Sequence, residues 1–351
     1  MKPLLEDAPS SPKVPIAIPP NRTATSRSAQ MWKLFETFGP VILLLVVVAV
    51  ITAIKPSFIL PANLLTVGLQ GSVNAILSIG MTLVIISGGI DLSVGTMMSL
   101  AMVVMAIFTN NLGAPMYVGI VVCVLVAVLG GFINGWLIAY ANIPAFITTL
   151  GMLGIAQGLA LKLSGGYSMY GFPDWYGFFG NGEIAHVPVP IWIVGIMLLV
   201  AFYVFNNRPL GRYTYGIGNN EESVLRAGVN VRFIKLKVYL FSGCMVGLAA
   251  VVLSSRINSA HPGIGVGYEL DAIAAAVIGG ASLAGGHGTF FGGVIGALVM
   301  ASIRFALNLV GIEPFLQQVF VGVVLIGAVY LDQVRLRQEE YWSKIRARQE
   351  S

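Results

Sequence analysis

The chain has 351 residues, of which 56% are apolar and only 10% are charged, with a formal net charge of +5. A soluble globular domain carries roughly 25% charged residues, so this composition excludes that class. The 42 glycines fit closely packed transmembrane helices, in which small residues let backbones approach. The two cysteines, Cys123 and Cys244, sit in apolar runs, so neither a disulfide framework nor a metal site is expected.

In chain order, the polar residues 1–36, rich in Pro, Ser and Thr, predict a disordered tail. Long runs without Asp, Glu, Lys or Arg follow, and about 20 such residues make one membrane span. These runs predict an all-α, polytopic membrane protein whose transmembrane domain covers residues 37–332, followed by a tail of residues 333–351. Cut at their Pro, Gly and Asn clusters, the runs give about ten helices, near 38–56, 66–87, 92–110, 116–140, 144–163, 187–206, 237–255, 270–286, 290–310 and 314–332.

The pair of helices at 270–286 and 290–310 is joined by a glycine-rich segment, residues 285–288. This join fits a surface loop, and it also fits a re-entrant turn inside the bilayer. Nine and eleven spans therefore stand as alternatives to ten.

The basic residues orient the spans. Sixteen of the 20 lie before the first span, within residues 208–237, or from Arg335 onward. A ten-span topology puts these three segments on one side, which the positive-inside rule identifies as the cytoplasm. Both termini and the loop 208–237 are therefore predicted to be cytoplasmic. The positive net charge is thus explained by the membrane topology, and membrane lipid is an expected partner. Nucleic acid is not expected as a partner, because no basic face with interleaved aromatics is present.

Three acids, Asp91, Glu269 and Asp271, lie in apolar surroundings. A carboxylate near the bilayer centre costs about 2.5–3.5 kcal/mol, so it should face protein or a water-filled cavity. Each of the three precedes or opens an apolar helix, which favours a role in capping that helix. A role in a substrate path or gate is the alternative for all of them, and for Glu269 and Asp271 contact with a docking protein on the external face is a further one.

Uncharged polar residues inside the spans suit a neutral, hydroxylated solute, although hydrogen bonding between helices is the commoner use of such residues. They are Gln70, Asn74, Ser78, Ser87, Asn134, Gln157, Asn308, Gln317 and Gln318. The candidates for a translocation path or gate are Gln70, Asn74, Asp91, Ser93, Glu269, Asp271 and Asn308.

Two further features of the spans are a glycine repeat, which indicates helix packing, and an arginine, for which a structural and a functional ion pair both stay open. Gly288, Gly292 and Gly296 repeat at four-residue spacing, which predicts a smooth helix face for a close neighbour. Arg304 lies within a predicted span and needs an anionic or carbonyl partner if it is buried.

Residues 208–237 form the one sizeable cytoplasmic loop. An Asn suited to the N-cap, two acids in the first turn, Arg in the last turn and a terminating Gly predict a helix of about two turns. The residues concerned are Asn219, Asn220, Glu221, Glu222, Ser223, Arg226 and Gly228. A helix this short is unstable alone in water. Spacing alone leaves open whether it lies on the membrane surface or docks a soluble partner.

The sequence motifs resemble the ribose-type permease family of bacterial ABC sugar importers, from about residue 40 to 332. The matching motifs are GMTLVI at 80–85, SGGIDLSVG at 87–95, GRY at 211–213, AGVNV at 227–231, GYELDAIAA at 267–275 and SLAGG at 282–286. They are long and ordered, so the resemblance is specific to the family and much less so to the substrate.

The resemblance implies a homodimeric permease of the bacterial inner membrane that imports a ribose-like pentose, hexose or polyol by alternating access. A periplasmic sugar-binding protein would deliver the sugar, and a cytoplasmic ATPase would supply ATP and Mg²⁺ chemistry. Residues 219–228 would then be the coupling helix seated on that ATPase. This chain has no GxxxxGK[ST] motif, so it is expected to hold no cofactor and to be no enzyme.

Two other classes are weighed against this interpretation. An ion-coupled secondary transporter of a small polar solute would carry several ionisable residues deep in its helices, whereas only Asp91 and Arg304 are candidates here. A membrane-embedded enzyme lacks support because neither GxSxG nor HExxH occurs and the three histidines are far apart in sequence.

Overall fold

The computed structural model describes residues 27–349, with side chains described for residues 38–330, 332–334 and 337. The chain divides into two units, residues 1–37 and residues 38–351. In the first unit the described residues, 27–37, are helical. The predicted disordered tail therefore differs from the structure over residues 27–36, where Ala, Gln, Met, Lys and Leu favour a helix. Its first 26 residues lie outside the described part.

The helices follow one another with short connections. Their bounds are α1 (Arg27–Ile54), α2 (Pro61–Ile86), α3 (Val94–Ala106), α4 (Met116–Ala139), α5 (Ala145–Ser164), α6 (Phe178–Asn181), α7 (Val189–Asn206), α8 (Pro209–Arg226), α9 (Val231–Ile257), α10 (Tyr268–Ile278), α11 (Phe290–Val310) and α12 (Pro314–Gln349). A π-helical turn, Ile107–Asn111, extends α3.

Four strands of two residues each lie in the connections. They are β1 (Met169–Tyr170), β2 (Glu183–Ile184), β3 (Val187–Pro188) and β4 (Ser259–Ala260). β1 pairs with β4 in an antiparallel register that sets Met169 opposite Ala260, and β2 pairs with β3 as a hairpin. These strands join loops near the ends of helices, and the core consists mostly of helical residues, with Ala260 of β4 and a few loop residues added.

Among the described residues, eight helices are long and apolar enough to cross a membrane: α2, α3 with its π turn, α4, α5, α7, α9, α11 and the first part of α12. A shorter apolar stretch of α1, Phe38–Ile54, adds to them. These helices confirm the predicted all-α, polytopic membrane protein. The helix predicted at 270–286 ends at Ile278. Its 11 residues fall short of the roughly 20 that one span needs.

The centre of the bundle is formed by α2 and α9, which are buried along most of their length. α4 packs closely on α9 through Gly131, Gly135, Gly243 and Gly247, where a Cβ would crowd atoms of the facing helix. α5, α7 and α12 expose many large apolar side chains. Exposed apolar faces of this kind suit contact with lipid tails.

α10 and α11 are packed backbone to backbone. A Cβ at Gly292 would fall on the carbonyl oxygen of Gly279, and one at Gly296 on that of Ala275. Gly288 lies before α11 rather than on it, with a φ of +142° that only glycine adopts readily. The predicted smooth face therefore runs through Gly292 and Gly296, and Gly288 serves the turn instead.

We expect Gly296→Ala to lower the free energy of unfolding by about 1–3 kcal/mol, because the new methyl group meets a backbone carbonyl that cannot swing aside. Thermal unfolding in detergent measures the effect. Gly154→Ala on α5 is the matched control, since no neighbouring atom of the described residues lies within 4 Å of a Cβ at that position. Equal unfolding midpoints for the two variants would contradict the close packing of α11 on α10.

Candidate functional site

A cavity of about 480 Å³ lies between α2, α10, α11 and α12. Its volume falls within the range of roughly 300–1,000 Å³ that is usual for sites of small ligands. The polar side chains that line it are Gln70, Asn74, Tyr268, Glu269, Asp271, Arg304 and Gln318. Four of these, Gln70, Asn74, Glu269 and Asp271, belong to the path predicted from the sequence.

The segment before α10 brings the two acids to this cavity. Gly265 donates its N–H to Ser99 Oγ on α3 at 2.9 Å, and a Cβ on either Gly95 or Gly265 would collide with the backbone of the other residue. Gly267, at a φ of +97°, then turns the chain into α10. Its N–H donates to both carboxylate oxygens of Glu269 at 3.1 Å. Glu269 therefore caps the turn and also faces the cavity.

An ion pair joins α10 to α11 at the cavity wall. Arg304 Nη2 donates to both carboxylate oxygens of Asp271, at 2.7 and 2.6 Å. The Asp271 side chain is 8% exposed and that of Arg304 is 36% exposed. Asp271 thus supplies the anionic partner that an arginine within a span requires.

Two residues that line the cavity each have a buried polar atom without a partner among the described residues. The side chain of Asn74 is buried, and its Oδ1 accepts no hydrogen bond from the described residues. Arg304 Nε is buried and donates to none of them. Groups of this kind are uncommon in folded proteins, where nearly all buried polar atoms are paired with protein or water.

Asp91 and Ser93 lie elsewhere, in the turn between α2 and α3. Asp91 Oδ1 accepts hydrogen bonds from the backbone N–H of Ser93 at 2.9 Å and from its Oγ at 2.6 Å. Asn134 Nδ2 on α4 donates to the same Ser93 Oγ at 2.9 Å. These bonds stabilise the turn before α3, whose N-cap residue Ser93 has no side-chain capping bond, so both the capping role and the path role of Asp91 stay predictions. Burial raises the pKa of its carboxyl, and the hydrogen bonds from Ser93 partly oppose that rise.

Asn308 also lies apart from the cavity lining. Its Oδ1 accepts a hydrogen bond of 2.7 Å from Gln317 Nε2, which ties the end of α11 to the start of α12.

Arg304 and Tyr268 face the cavity although neither is among the path candidates from the sequence. The signal for Arg304 was its position as a cation within an apolar run.

The loop helix predicted at residues 219–228 is the second half of a longer helix. α8 begins at Pro209 and breaks at Asn220, whose φ of −161° and ψ of 95° are not helical. Asn220 Oδ1 accepts the N–H of Ser223 at 2.9 Å, which is the N-cap arrangement that the sequence predicts. Gly228, at a φ of +80°, follows the last turn.

Two ion pairs involve the acids of this segment. Glu222 pairs with Arg226 at 2.6 Å, and both side chains are mostly exposed. Glu221 pairs with Lys235 at the start of α9 at 2.7 Å. An exposed pair four residues apart contributes only about 0.3–0.5 kcal/mol, so Glu222 is available to a partner at little cost in stability.

The first half of α8 lies against residues 279–289, the segment between α10 and α11. Tyr215 Oη donates to the carbonyl of Gly288 at 2.7 Å, and Gly218 leaves no room for a Cβ beside Gly286. The N–H of Gly286 in turn donates to the carbonyl of Ile86 at the end of α2, at 2.9 Å. Residues 279–289 thus connect α8 to α10, whose other end borders the cavity.

We expect Arg304→Met to lower the free energy of unfolding by about 3 kcal/mol, because it leaves the buried Asp271 carboxylate without its partner. The double variant Asp271→Asn/Arg304→Met should recover much of that loss, since it also removes the stranded charge. Thermal unfolding in detergent compares them. A double variant as unstable as Arg304→Met would show that the arginine acts through packing rather than through the ion pair.

The chain is similar to known membrane proteins over most of its length. A protein-family model described as "Branched-chain amino acid transport system / permease component" matches residues 63–329. The ribose import permease protein of Escherichia coli (strain K12) is 41% identical over 303 residues, which cover 83% of this chain and 92% of that protein.

Two further relatives from Escherichia coli (strain K12) carry other sugars in their names. The D-allose transport system permease protein is 35% identical, over 86% of this chain and 92% of that protein. The L-arabinose transport system permease protein is 32% identical, over 89% of this chain and 95% of that protein. No solved structure matches the chain.

Proposed function

The chain belongs to the permease family of bacterial ABC sugar importers, and from this premise we propose that it forms the path for a monosaccharide by alternating access. It is a multi-pass protein of the bacterial inner membrane and a transport subunit, not an enzyme. Relatives named for ribose, allose and arabinose support a pentose or hexose as the substrate, and a polyol is the further candidate in this proposal.

The observation that carries the proposed path is the cavity of about 480 Å³. Its neutral amides, Asn74 and Gln70, are hydrogen-bonding groups for hydroxyls, and its cation is already paired with an acid. A sugar requires such groups because it has many hydroxyls and no charge. Glu269 and Asp271 are proposed to line or gate the sugar path in addition to their role at the start of α10.

The proposed topology has ten crossings and both termini in the cytoplasm. In it, α10 together with residues 279–289 makes one crossing, because that segment reaches the level of the end of α2 through the Gly286–Ile86 hydrogen bond. The basic residues of 208–237 and of the C-terminal tail then share the cytoplasmic side.

Three protein partners follow from the family. The proposed assembly has a second copy of this chain, a cytoplasmic ATPase that binds ATP with Mg²⁺, and a periplasmic sugar-binding protein. Residues 219–228 are proposed to couple the chain to the ATPase, with Glu222 and Arg226 exposed for that contact. The contacts from α8 through residues 279–289 to α10 support this assignment, since they lead from that surface to the cavity.

The proposed function is tested by purifying the tagged chain from mild detergent and identifying what copurifies. An ATPase with a P-loop should be recovered, and the complete complex with its binding protein, in proteoliposomes, should take up one of ribose, allose or arabinose only with ATP. Leucine serves as the comparison substrate, because the family description names amino acids. Uptake driven by an ion gradient without ATP would instead establish a secondary transporter.

The coupling assignment predicts that Glu222→Lys reduces both the amount of ATPase that copurifies and the rate of ATP-driven uptake, about tenfold or more. Insertion and thermal stability should stay unchanged, because Glu222 makes only an exposed ion pair. Glu183→Lys in β2 also reverses the charge of an exposed glutamate, but it lies outside residues 219–228 and should leave ATPase recovery unchanged. Full ATPase recovery and uptake with Glu222→Lys would refute the coupling role.

A further inference from the structure

The segment between α10 and α11, residues 279–289, has an attachment beyond those to α2 and α8. Asp332 lies on α12, and its Oδ2 accepts a hydrogen bond from Ser282 Oγ at 3.2 Å and one from the backbone N–H of Leu283 at 3.3 Å. We propose that Asp332 is a positioning residue of the transport cycle, which ties one wall of the cavity to the segment that α8 contacts. This inference rests on the proposed function.

The turn that starts at Ser282 is held together by its own backbone. The N–H of Ser282 donates to the carbonyl of His287 at 3.2 Å, and the N–H of Gly285 donates to the carbonyl of Ser282 at 2.9 Å. Opening this turn would leave these backbone groups unpaired, which is costly where they are buried. The turn therefore moves as one piece, and a displacement that α8 imposes at Gly286 reaches Ser282.

The face of α12 that lines the cavity leads to Asp332. The lining residues of α12 are Gln318, Val321, Gly322 and Leu325. Gln318, Leu325 and Asp332 follow one another at intervals of seven residues, which is nearly two full turns, so they share one face of the helix. Asp332 therefore continues the cavity wall about 10 Å beyond Leu325, at a rise of about 1.5 Å per residue.

The rest of α12 is held by weaker means. Of the eight apolar helices among the described residues, α12 is the least buried. Val321 and Leu325 belong to one apolar cluster with Ala274 and Ile278 of α10, and apolar packing of this kind has no preferred direction. The hydrogen bonds to Asp332 are directional. They make this end of the cavity wall follow residues 279–289, whereas packing alone would allow the two to slide past each other.

The chemistry of the contact supplies a matched pair of variants. Both hydrogen bonds end on the same oxygen, Oδ2, and a neutral amide oxygen can accept both. Asp332→Asn should therefore keep the tie, whereas Asp332→Ala removes it. Glu313→Ala is the control, because Glu313 is an exposed acid before the other end of α12 and does not line the cavity.

The test uses the complete importer in proteoliposomes, loaded with whichever of ribose, allose and arabinose the parent takes up. It measures the number of sugar molecules taken up per ATP hydrolysed. Asp332→Ala should lower this ratio about fivefold or more, the low end of the usual range for coupling between sites, because ATP is still hydrolysed while the wall no longer follows. Asp332→Asn and Glu313→Ala should keep the ratio of the parent.

The ratio separates coupling from stability. A merely structural defect reduces the amount of folded complex, so it lowers uptake and ATP hydrolysis in proportion and leaves the ratio unchanged. Ser282→Ala removes one of the two donors and should lower the ratio about threefold. Adding it to Asp332→Ala should cause no further loss, since two residues joined by one contact do not act additively. Where Asp332→Ala does not assemble, Ser282→Ala decides.

Each outcome decides one proposal. A ratio equal to that of the parent in Asp332→Ala or in Ser282→Ala, or the same loss in Asp332→Asn as in Asp332→Ala, overturns the tie and leaves the importer assignment intact. A parent complex without ATP-driven uptake of any of the three sugars overturns the proposed function, and the inference that rests on it.

Discussion

The structure depends on one constraint, which is that backbone polar groups inside an apolar bundle need partners. Residues 261–267 and 279–289 are not helical, yet they connect α9, α10 and α11, which are largely buried apolar helices. In lipid each unpaired backbone group costs several kcal/mol, so irregular backbone is tolerated only where protein or a water-filled cavity covers it. Ser99, Glu269 and the carbonyl of Ile86 supply such partners. The same contacts hold α10 at the wall of the cavity.

Helices with a simple apolar signal were predictable from sequence. α4 and α7 end within a few residues of their predicted bounds, because proline or asparagine interrupts the run at each end. α10 was not predictable, since the apolar run continues past it to residue 286. Its end at Ile278 depends on the positive φ of Gly280 and on partners from α2 and α8, and sequence spacing does not reveal such distant contacts.

The candidate site was predictable from the sequence only in part, because some of its contacts join residues that are distant in the chain. Glu269 and Asp271 were identifiable as acids in apolar surroundings, and capping and cavity lining proved compatible at Glu269. The pairing of Asp271 with Arg304 joins residues 33 positions apart, and no local pattern indicates it. Asp91, isolated in the sequence, is predicted as a cap with a path role as the alternative. Its carboxylate accepts hydrogen bonds from the neighbouring Ser93, and it is not among the residues that line the cavity.

The contact between α8 and residues 279–289 has a mechanical consequence. Gly218 meets Gly285 and Gly286 through backbone atoms, and the side chains of Tyr215 and Asn219 add hydrogen bonds to the same segment. Where two backbones touch directly, peptide units absorb a displacement only by bond-angle strain, at about 1 kcal/mol for a 7° change. The joint therefore has low compliance, and a shift of α8 passes to the start of α11 and the end of α10 with little lost in between.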